Sequence, residues 1–436
     1  MTRYCVVGLG KTGLSCVRYL VREGADVCVV DTRDGSPFEK MIGDVPVHFG
    51  SLDHEFVTRA DCLVVSPGVS IHLPEIQAAY ARGAEILGDI ELFARRVTDT
   101  PVIAITGSNG KSTVTAMLGE MAKAAGIKVC VAGNIGQPVL DTLDGAYELY
   151  ILELSSFQLE TTSSLKPIAA TVLNVCEDHM DRYASFEDYV RAKKRIYHHA
   201  TTAVINKEDP LTQADANTSK VIAFGLTPPD LETDFGFDGE TLYQGKKPLM
   251  KAADLLLKGR HSVANALAAI ALGRAAGIAL SPMLNALKHF KGLAHRSAFV
   301  RELNEVTWIN DSKGTNVGAT LAAITGFASP DQKKLILLAG GQGKGADFSP
   351  LTDAVKAHVR ELVVFGEDKA LIQHALKDAT SISTVNTLEN AIQIALTLAK
   401  PGDTVLFSPA CASFDQFPNF EKRGEAFVDL VDQLSR

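Results

Sequence analysis

The chain has no surplus of positive charge: Lys and Arg number 43 against 51 Asp and Glu, a formal net charge of −8. Gripping a phosphate backbone or an anionic membrane takes the opposite sign, so neither nucleic acid nor membrane is an expected partner. It also lacks paired cysteines. The seven present (Cys5, Cys16, Cys28, Cys62, Cys130, Cys176 and Cys411) are scattered, odd in number and never spaced C-x-x-C. Most lie within apolar runs, which reads as reduced, buried thiols rather than a disulfide framework. No apolar run approaches the ~18 residues of a membrane span. The opening MTRYCVVGLGKTG meets glycine too soon for the apolar core of a signal peptide. Internal repeats and low-complexity tracts are absent. Together these absences predict a soluble cytoplasmic protein.

What is present is ordinary globular composition, 46% hydrophobic and 22% charged with 35 glycines and 17 prolines. At roughly 150 residues per domain, 436 residues predict about three domains. Short apolar runs alternate with helical patterns from end to end, the signature of parallel α/β units. Strands are expected at Tyr4–Val7, Val27–Val30, Cys62–Val65, Val102–Ile105, Val129–Val131, Leu149–Leu154, Ala170–Val175, Ala203–Asn206 and Val221–Phe224. Residues 226–250, rich in Pro, Gly and Asp, read as a hairpin insertion. Further strands are expected at Val306–Ile309, Lys334–Leu338, Glu361–Phe365 and Thr404–Phe407. The expected division is 1–89, 90–294 and 295–436, with a catalytic cleft between the parts.

Gly8-Leu9-Gly10-Lys11-Thr12-Gly13 follows a strand and opens a helix, matching G-x-G-x-x-G. Glycines there allow a tight turn and bring a pyrophosphate close to the helix N-terminus. Asp31 ends the next strand, where an acid can bind a ribose hydroxyl. Alone, this loop fits a dehydrogenase, a nucleotide-sugar binder or a bare strand-to-helix turn.

A second loop decides the class. TGSNGKST (Thr106–Thr113) departs from the strict phosphate-binding pattern, since Ile105 stands at the first glycine. Its working parts remain. Backbone amides of Gly107, Ser108, Asn109 and Gly110 can cradle phosphates, Lys111 can neutralise them, and the Ser112 hydroxyl, beside Thr113, can reach Mg²⁺. Mg²⁺ wants further hard oxygens. Glu153, at a strand end between Leu152 and Leu154, is the inward-facing candidate. NVCEDHMDRY (Asn174–Tyr183) sets His179 among acids beyond another strand's carboxyl end, where α/β ligands collect. Two nucleotide loops in one chain argue for an ATP-using enzyme over an NAD oxidoreductase. The intact lysine, hydroxyl and carboxylate argue against a regulatory protein that has lost catalysis.

At this point the residues resemble a family. GLGKTGLS, SPGVSIHLPEI, GDIELF, TGSNGKST, AGNIGQP, LELSSFQLE, NVCEDHMDRY, RAKKRIY, GLAHR, INDSKGTN and SPACASFDQF occur in order across essentially the whole chain. They are similar to the Mur ligases of peptidoglycan synthesis. The first loop and SPACASFDQF point to the branch that adds D-glutamate to UDP-N-acetylmuramoyl-L-alanine. The resemblance implies a Rossmann-like N-terminal domain, a central P-loop ATPase-like domain and a Rossmann-like C-terminal domain. It implies an ATP-dependent amide-bond ligase, working through an acyl phosphate and a tetrahedral intermediate. ATP and two Mg²⁺ ions would be its cofactors, and a monomer is expected.

Carried over residue by residue, the resemblance makes the first loop a UDP cradle. Thr12, Asp31, Thr32 and Arg33 would hold the uracil end, Ser66 and Gly68 would approach the diphosphate, and Asn134, Gln158 and His179 would contact the sugar and peptide part. ATP would meet Gly107–Thr113, Asn265, Arg296 and Asp311. D-Glutamate would meet Lys313, Thr315, Lys344, Ser413 and Phe420; two cations and two hydroxyls suit a dicarboxylate. Lys11, Ser262 and Gln342 depart from the family pattern. Arg191, Lys193, Lys194 and Arg195 read by composition as a solvated charge run. The resemblance instead implies that Lys193, one residue short of Arg195-Ile196-Tyr197, carries a CO₂-derived carbamate. With Ser112, Glu153 and His179 it would complete the metal ligands, and with Lys111 and His179 the catalytic set.

Overall fold

Apolar runs flanked by glycine turns become strands, and the strands sort into three sheets. The computed structural model describes residues 2–214, 220–257, 259–328 and 332–435. β1 (Arg3–Val7), β2 (Asp26–Asp31), β3 (Val47–Phe49), β4 (Cys62–Val65) and β5 (Glu85–Leu87) form a wholly parallel sheet in the order β3-β2-β1-β4-β5. The order reverses beside β1, so the first glycine loop opens at a topological switch point, where α/β sheets bind ligands.

The central sheet is built from β6 (Val102–Thr106), β7 (Val129–Gly133), β8 (Leu149–Glu153), β9 (Ala169–Val172), β10 (Thr202–Asn206), β11 (Lys220–Phe224), β12 (Phe235–Phe237), β13 (Thr241–Gln244) and β14 (Lys247–Lys251). Its order is β14-β13-β12-β11-β10-β9-β6-β8-β7, parallel as far as β12 and antiparallel beyond. The expected hairpin at 226–250 therefore continues the main sheet as its antiparallel edge. The expected strand Ala170–Val175 stops at Val172. Leu173 and Asn174 leave the sheet to hydrogen-bond Thr106 and Ser108, lying along the second loop.

The third sheet holds β15 (Ala298–Leu303), β16 (Val306–Asn310), β17 (Leu335–Gly340), β18 (Val359–Phe365), β19 (Ser381–Thr384) and β20 (Thr404–Phe407), ordered β15-β16-β20-β17-β18-β19. Only β15 runs antiparallel to its neighbour. Its two faces bury separate clusters, one around Leu337, Leu362 and Leu406, the other around Trp308, Phe407 and Phe427.

The first two sheets share a core across their seam, although each buries a cluster of its own on the opposite face. One apolar cluster runs from Val6, Leu14 and Val17 through Ile90 and Phe93 to Val102, Leu140 and Tyr150. The helix Asp89–Arg96 is the wedge between them, with Phe93 fully buried against Tyr150. Burial of one such ring stabilises by roughly 2–3 kcal/mol. Polar contacts seal the same seam: Ser15 Oγ donates to Asp141 at 2.7 Å, and Glu91 accepts the Ser163 and Ser164 amides at 2.8 and 3.0 Å.

Candidate active site

The second glycine loop joins β6 to the helix Lys111–Ala124. Gly110 caps that helix at φ +82°, and a Cβ there would sit 2.6 Å from Asn265 Oδ1, so only glycine fits. Lys111 Nζ donates to the carbonyls of Gly107 and Ser108 at 2.7 and 2.8 Å. Asn174 clamps the loop by exchanging hydrogen bonds with the backbone of Asn109, at 2.9 and 3.1 Å. Ser108 Oγ faces Tyr189 Oη at 3.0 Å and the Cys176 carbonyl at 2.9 Å. The loop is thus held in shape from outside.

Glu153 ends β8 and is 1% exposed. One carboxylate oxygen accepts from Asn134 Nδ2 at 2.8 Å, while the other, Oε2, is buried without a partner. An orphaned buried oxygen beside a phosphate loop is suited to a hard cation. Ser112 offers a second oxygen, its hydroxyl accepting from Arg296 at 2.7 Å. Among the described residues no three His, Cys, Asp or Glu side chains gather as a self-sufficient metal cage. That suits Mg²⁺, which takes one or two carboxylates and fills its remaining positions with water and phosphate.

Lys193 lies on the helix Phe186–Lys194, whose N-terminus Ser185 caps through the Asp188 amide. The expectation of a solvated charge run is wrong for this residue: Lys193 is 2% exposed. Its Nζ donates to the Gly107 carbonyl at 3.0 Å and lies 4.5 Å from the Tyr189 ring centre. Burial, reinforced by Lys111, pushes its pKa far below the ordinary lysine value. Lys193 and Lys194 line different cavities. His179 takes φ +60°, with its ring edge-on to Phe157 and 3.7 Å from Asp178. Burial and the nearby lysines lower its pKa, against the pull of Asp178.

The third sheet supplies the opposite wall. Arg296 and Asn316 bridge to the loop, Asn316 exchanging amide hydrogen bonds with Asn109 and donating to Asp178 at 3.1 Å. Asp311 accepts from Ser297 N at 2.9 Å and Ser408 Oγ at 2.7 Å, and burial raises its carboxyl to about 6. Lys313 lies 4.0 Å from the Phe420 ring centre, and burial beside Arg296 and Lys111 lowers it to about 8.

Two adjoining cavities result. One, of about 450 Å³, brings together Gly68 of the first domain, Lys111, Glu153, His179 and Lys193 of the second, and Lys313, Thr315, Lys344, Ser413 and Phe420 of the third. The other, of about 460 Å³, contains Thr113, Asn265, Arg296 and Asp311, and shares Asn109, Gly110, Arg296 and Lys313 with the first.

Some expected contacts lie elsewhere. Asp31 is 3% exposed, with its oxygens taken by the Leu9 amide at 2.7 Å and by Arg33. Burial opposes its charge, yet these donors keep its pKa below the usual carboxylate value. Arg33 also reaches the Leu9 carbonyl at 3.1 Å, and Ser66 Oγ the Gly8 carbonyl at 2.7 Å. Thr12 is half-buried and Thr32 exposed beside them. Gln158 does not reach the cavity: it closes a capping box with Ser155 and donates to buried Asp89. Conversely, Tyr189, Asp178, Phe157 and Asn316 line the cavity without having been singled out from the sequence. The quoted motifs contain Asp178, Phe157 and Asn316, Tyr189 lies two residues before RAKKRIY, and only the fold shows which side chains turn inward.

Comparison with known proteins follows the same division. Residues 2–88 match the Mur ligase MurD-like N-terminal domain, 105–273 the Mur ligase middle domain and 295–411 the Mur ligase glutamate ligase domain. The UDP-N-acetylmuramoylalanine--D-glutamate ligase of Marinobacter nauticus is 50% identical over 440 residues, covering 99% of this chain and 98% of its own. That of Mannheimia succiniciproducens is 52% identical over 432 residues, covering 98% and 96%. Among solved structures, UDP-N-acetylmuramate-alanine ligase MurC from Thermotoga maritima superimposes with a TM-score of 0.62 at 20% identity, covering 99% of each chain. MurF from Acinetobacter baumannii gives 0.64 at 17% identity, covering 98% of this chain and 90% of its own.

Proposed function

The chain belongs to the Mur ligase family, and from that premise we propose that it joins D-glutamate to UDP-N-acetylmuramoyl-L-alanine, converting ATP to ADP and phosphate. The supporting observation is the convergence, in one cavity, of the phosphate loop, the orphaned Glu153 oxygen, buried Lys193 and the Lys313–Phe420 pair. The proposed domains span 1–89, 90–294 and 295–436. The protein acts as a monomer in the cytoplasm, with neither nucleic acid nor membrane as partner; no described helix is long and apolar enough to cross a membrane.

A carboxylate is a poor acyl donor until it carries a leaving group. The alanyl carboxylate oxygen attacks the γ-phosphorus, the bond to ADP breaks, and an acyl phosphate forms. The D-glutamate amine then attacks the acyl carbon, and the tetrahedral intermediate loses phosphate and a proton to give the amide. Catalysis is mainly positioning and charge neutralisation. Lys111 turns from the loop carbonyls to the phosphates, and Arg296 adds a second cation. Asn265 and Asp311 hold the nucleoside. Thr12, Thr32 and Arg33, with Asp31 fixing Arg33, seat the uracil end, and Ser66, Gly68 and Asn134 the diphosphate and sugar.

Lys313 and Lys344 receive the two carboxylates of D-glutamate beside Thr315, Ser413 and Phe420. Ser112, Glu153, His179 and Lys193 as its carbamate would hold two Mg²⁺ ions, which when bound supply positive charge to the phosphoryl oxygens. Carbamate formation needs an unprotonated amine, and burial of Lys193 shifts it in that direction. Gln158 acts on the substrate pocket through Ser155 and the Asp89 wedge. The test is phosphate release with UDP-N-acetylmuramoyl-L-alanine and a panel of D-Glu, L-Glu, L-Ala, L-Lys and diaminopimelate. D-Glu should be preferred; preference for any other acceptor overturns the reading.

A further inference from the structure

An amino dicarboxylic acid carries three charges, two carboxylates and an ammonium, and the Lys313 and Lys344 cations answer only the first two. The ammonium would otherwise enter a cavity walled by Lys111, Arg296 and Lys313. Like charges at short range repel, the more so out of bulk water, so the nitrogen needs a group of opposite sign. Among the described residues three carboxylates line this cavity, Glu153, Asp178 and Glu421. Glu153 stands against the phosphate loop with its free oxygen suited to a hard cation. Asp178 spends one oxygen on the His179 amide at 3.0 Å and the other on Asn316 at 3.1 Å. Glu421 is exposed to the cavity, shares a domain with both lysines, and among the described residues accepts no hydrogen bond and closes no ion pair.

The backbone that carries Glu421 is fixed from several sides. Asn419 caps the helix Phe420–Asp432, its side chain accepting from the Lys422 amide at 2.7 Å. Ser312 Oγ donates to the Phe420 carbonyl at 2.9 Å. Arg423, 1% exposed, donates to the Ser312 carbonyl at 2.8 Å and the Cys411 carbonyl at 3.0 Å. One buried guanidinium thus ties the first turn of this helix to the loop bearing Lys313 and to the segment bearing Ser413. The negative charge of Glu421 is felt by its neighbours. It pulls Lys313, Arg296 and His295 upward against the burial that lowers all three. Arg296 in turn touches Ser112 of the phosphate loop at 2.7 Å. Glu421 therefore stands within electrostatic reach of the groups that surround the reacting phosphate.

We propose that Glu421 receives the ammonium group of the incoming amino acid and, with Lys313 and Lys344 on its carboxylates, aims the nitrogen at the acyl carbon. This rests on the proposed ligase reaction. An acid in the first turn also suits the helix dipole, so the test has to separate ligand from helix. Glutarate does so, being the same dicarboxylate without the amine. Calorimetry is run on the whole enzyme and on Glu421→Gln, each saturated with UDP-N-acetylmuramoyl-L-alanine and a non-hydrolysable ATP analogue. D-Glutamate should bind the variant about tenfold or more weakly, as loss of a charge-assisted hydrogen bond requires, while glutarate binds both proteins alike. In phosphate-release assays the variant's KM for D-glutamate should rise by a similar factor. Unchanged affinity for D-glutamate overturns the assignment, and so does equal weakening of D-glutamate and glutarate, which would mark a role in shaping the pocket. Hydroxylamine, a small acceptor needing no such seat, judges the reaction separately. If the parent enzyme forms a hydroxamate from its acyl phosphate yet refuses D-glutamate, the reading of the acceptor fails and Glu421 falls with it. If the parent uses D-glutamate and Glu421→Gln binds it equally well, Glu421 alone is wrong.

Discussion

Lys193 and Lys194 are adjacent in sequence and opposite in environment, one against the phosphate loop and the other lining a different cavity. Lys193→Ala should be almost inactive and partly rescued by acetate, which can fill the vacated anion position, while Lys194→Ala keeps most activity. Phosphate-release assays with and without acetate check this; rescue of the Lys194 variant instead would place the carbamate one residue on. Asp89 carries a different prediction. Burial raises its carboxyl to about 6, so the folded chain binds that proton more tightly than the unfolded one. The sign follows: ionised Asp89 weakens the fold above about pH 6, and protonation relieves the penalty as pH falls. Asp89→Asn should therefore be more stable than the parent at pH 8, by up to about 3 kcal/mol, with the advantage largely gone only by about pH 3.5, below the unfolded carboxyl's own pKa. Thermal unfolding at the two pH values decides it. These environments set the limit of sequence reading at this scale. Glu153 was legible because leucines flank it. Burial of Lys193 was not, since a run of four cations in five positions looks solvated whichever one turns inward.

Elements announced themselves wherever both faces were covered. Every expected strand is present, because parallel strands buried on both sides read as unbroken apolar runs. Those missed, β3, β5, β15 and β19, are the edges of the first and third sheets. An edge strand such as Ser381–Thr384 is half exposed and mixes polar residues among apolar ones. The strand overrun at Ala170–Val175 has another cause. Leu173 and Asn174 sit inside a run that reads as strand but spend their hydrogen bonds on the phosphate loop, a choice made by long-range contact. The same contact makes the loop intolerant. Gly110→Ala would strain a φ of +82° and press a methyl group on Asn265. It should weaken ATP binding about tenfold or more, given roughly 1–2 kcal/mol for the left-handed backbone alone. Titration with a non-hydrolysable ATP analogue measures that loss, and near-parent affinity would mean the loop reshapes freely.

At the scale of the whole molecule, the two nucleotide loops stand on different sheets, so Lys111→Ala should nearly abolish turnover yet leave binding of the UDP substrate intact. Calorimetry beside a phosphate-release assay checks this; equal loss of both would contradict the separation. The third domain reaches the phosphate loop through Arg296 and Asn316 and has cores of its own. It should therefore move about the Gly292–His295 junction, where Gly292 and His295 take positive φ. Small-angle scattering should show contraction on adding ATP analogue with UDP substrate, and identical profiles would count against closure. The core common to the first two domains has a further consequence, one of timing. In the proposed reaction the loops for UDP and ATP are carried on a single packed body, so the alignment for phosphoryl transfer is inherited from folding and is ready whenever both ligands are bound. The seat for the amine belongs to the body that must arrive. The interval between the two steps is then set by domain motion, and any delay there is a leak, because an acyl phosphate left open to water ends as free acid and a wasted ATP.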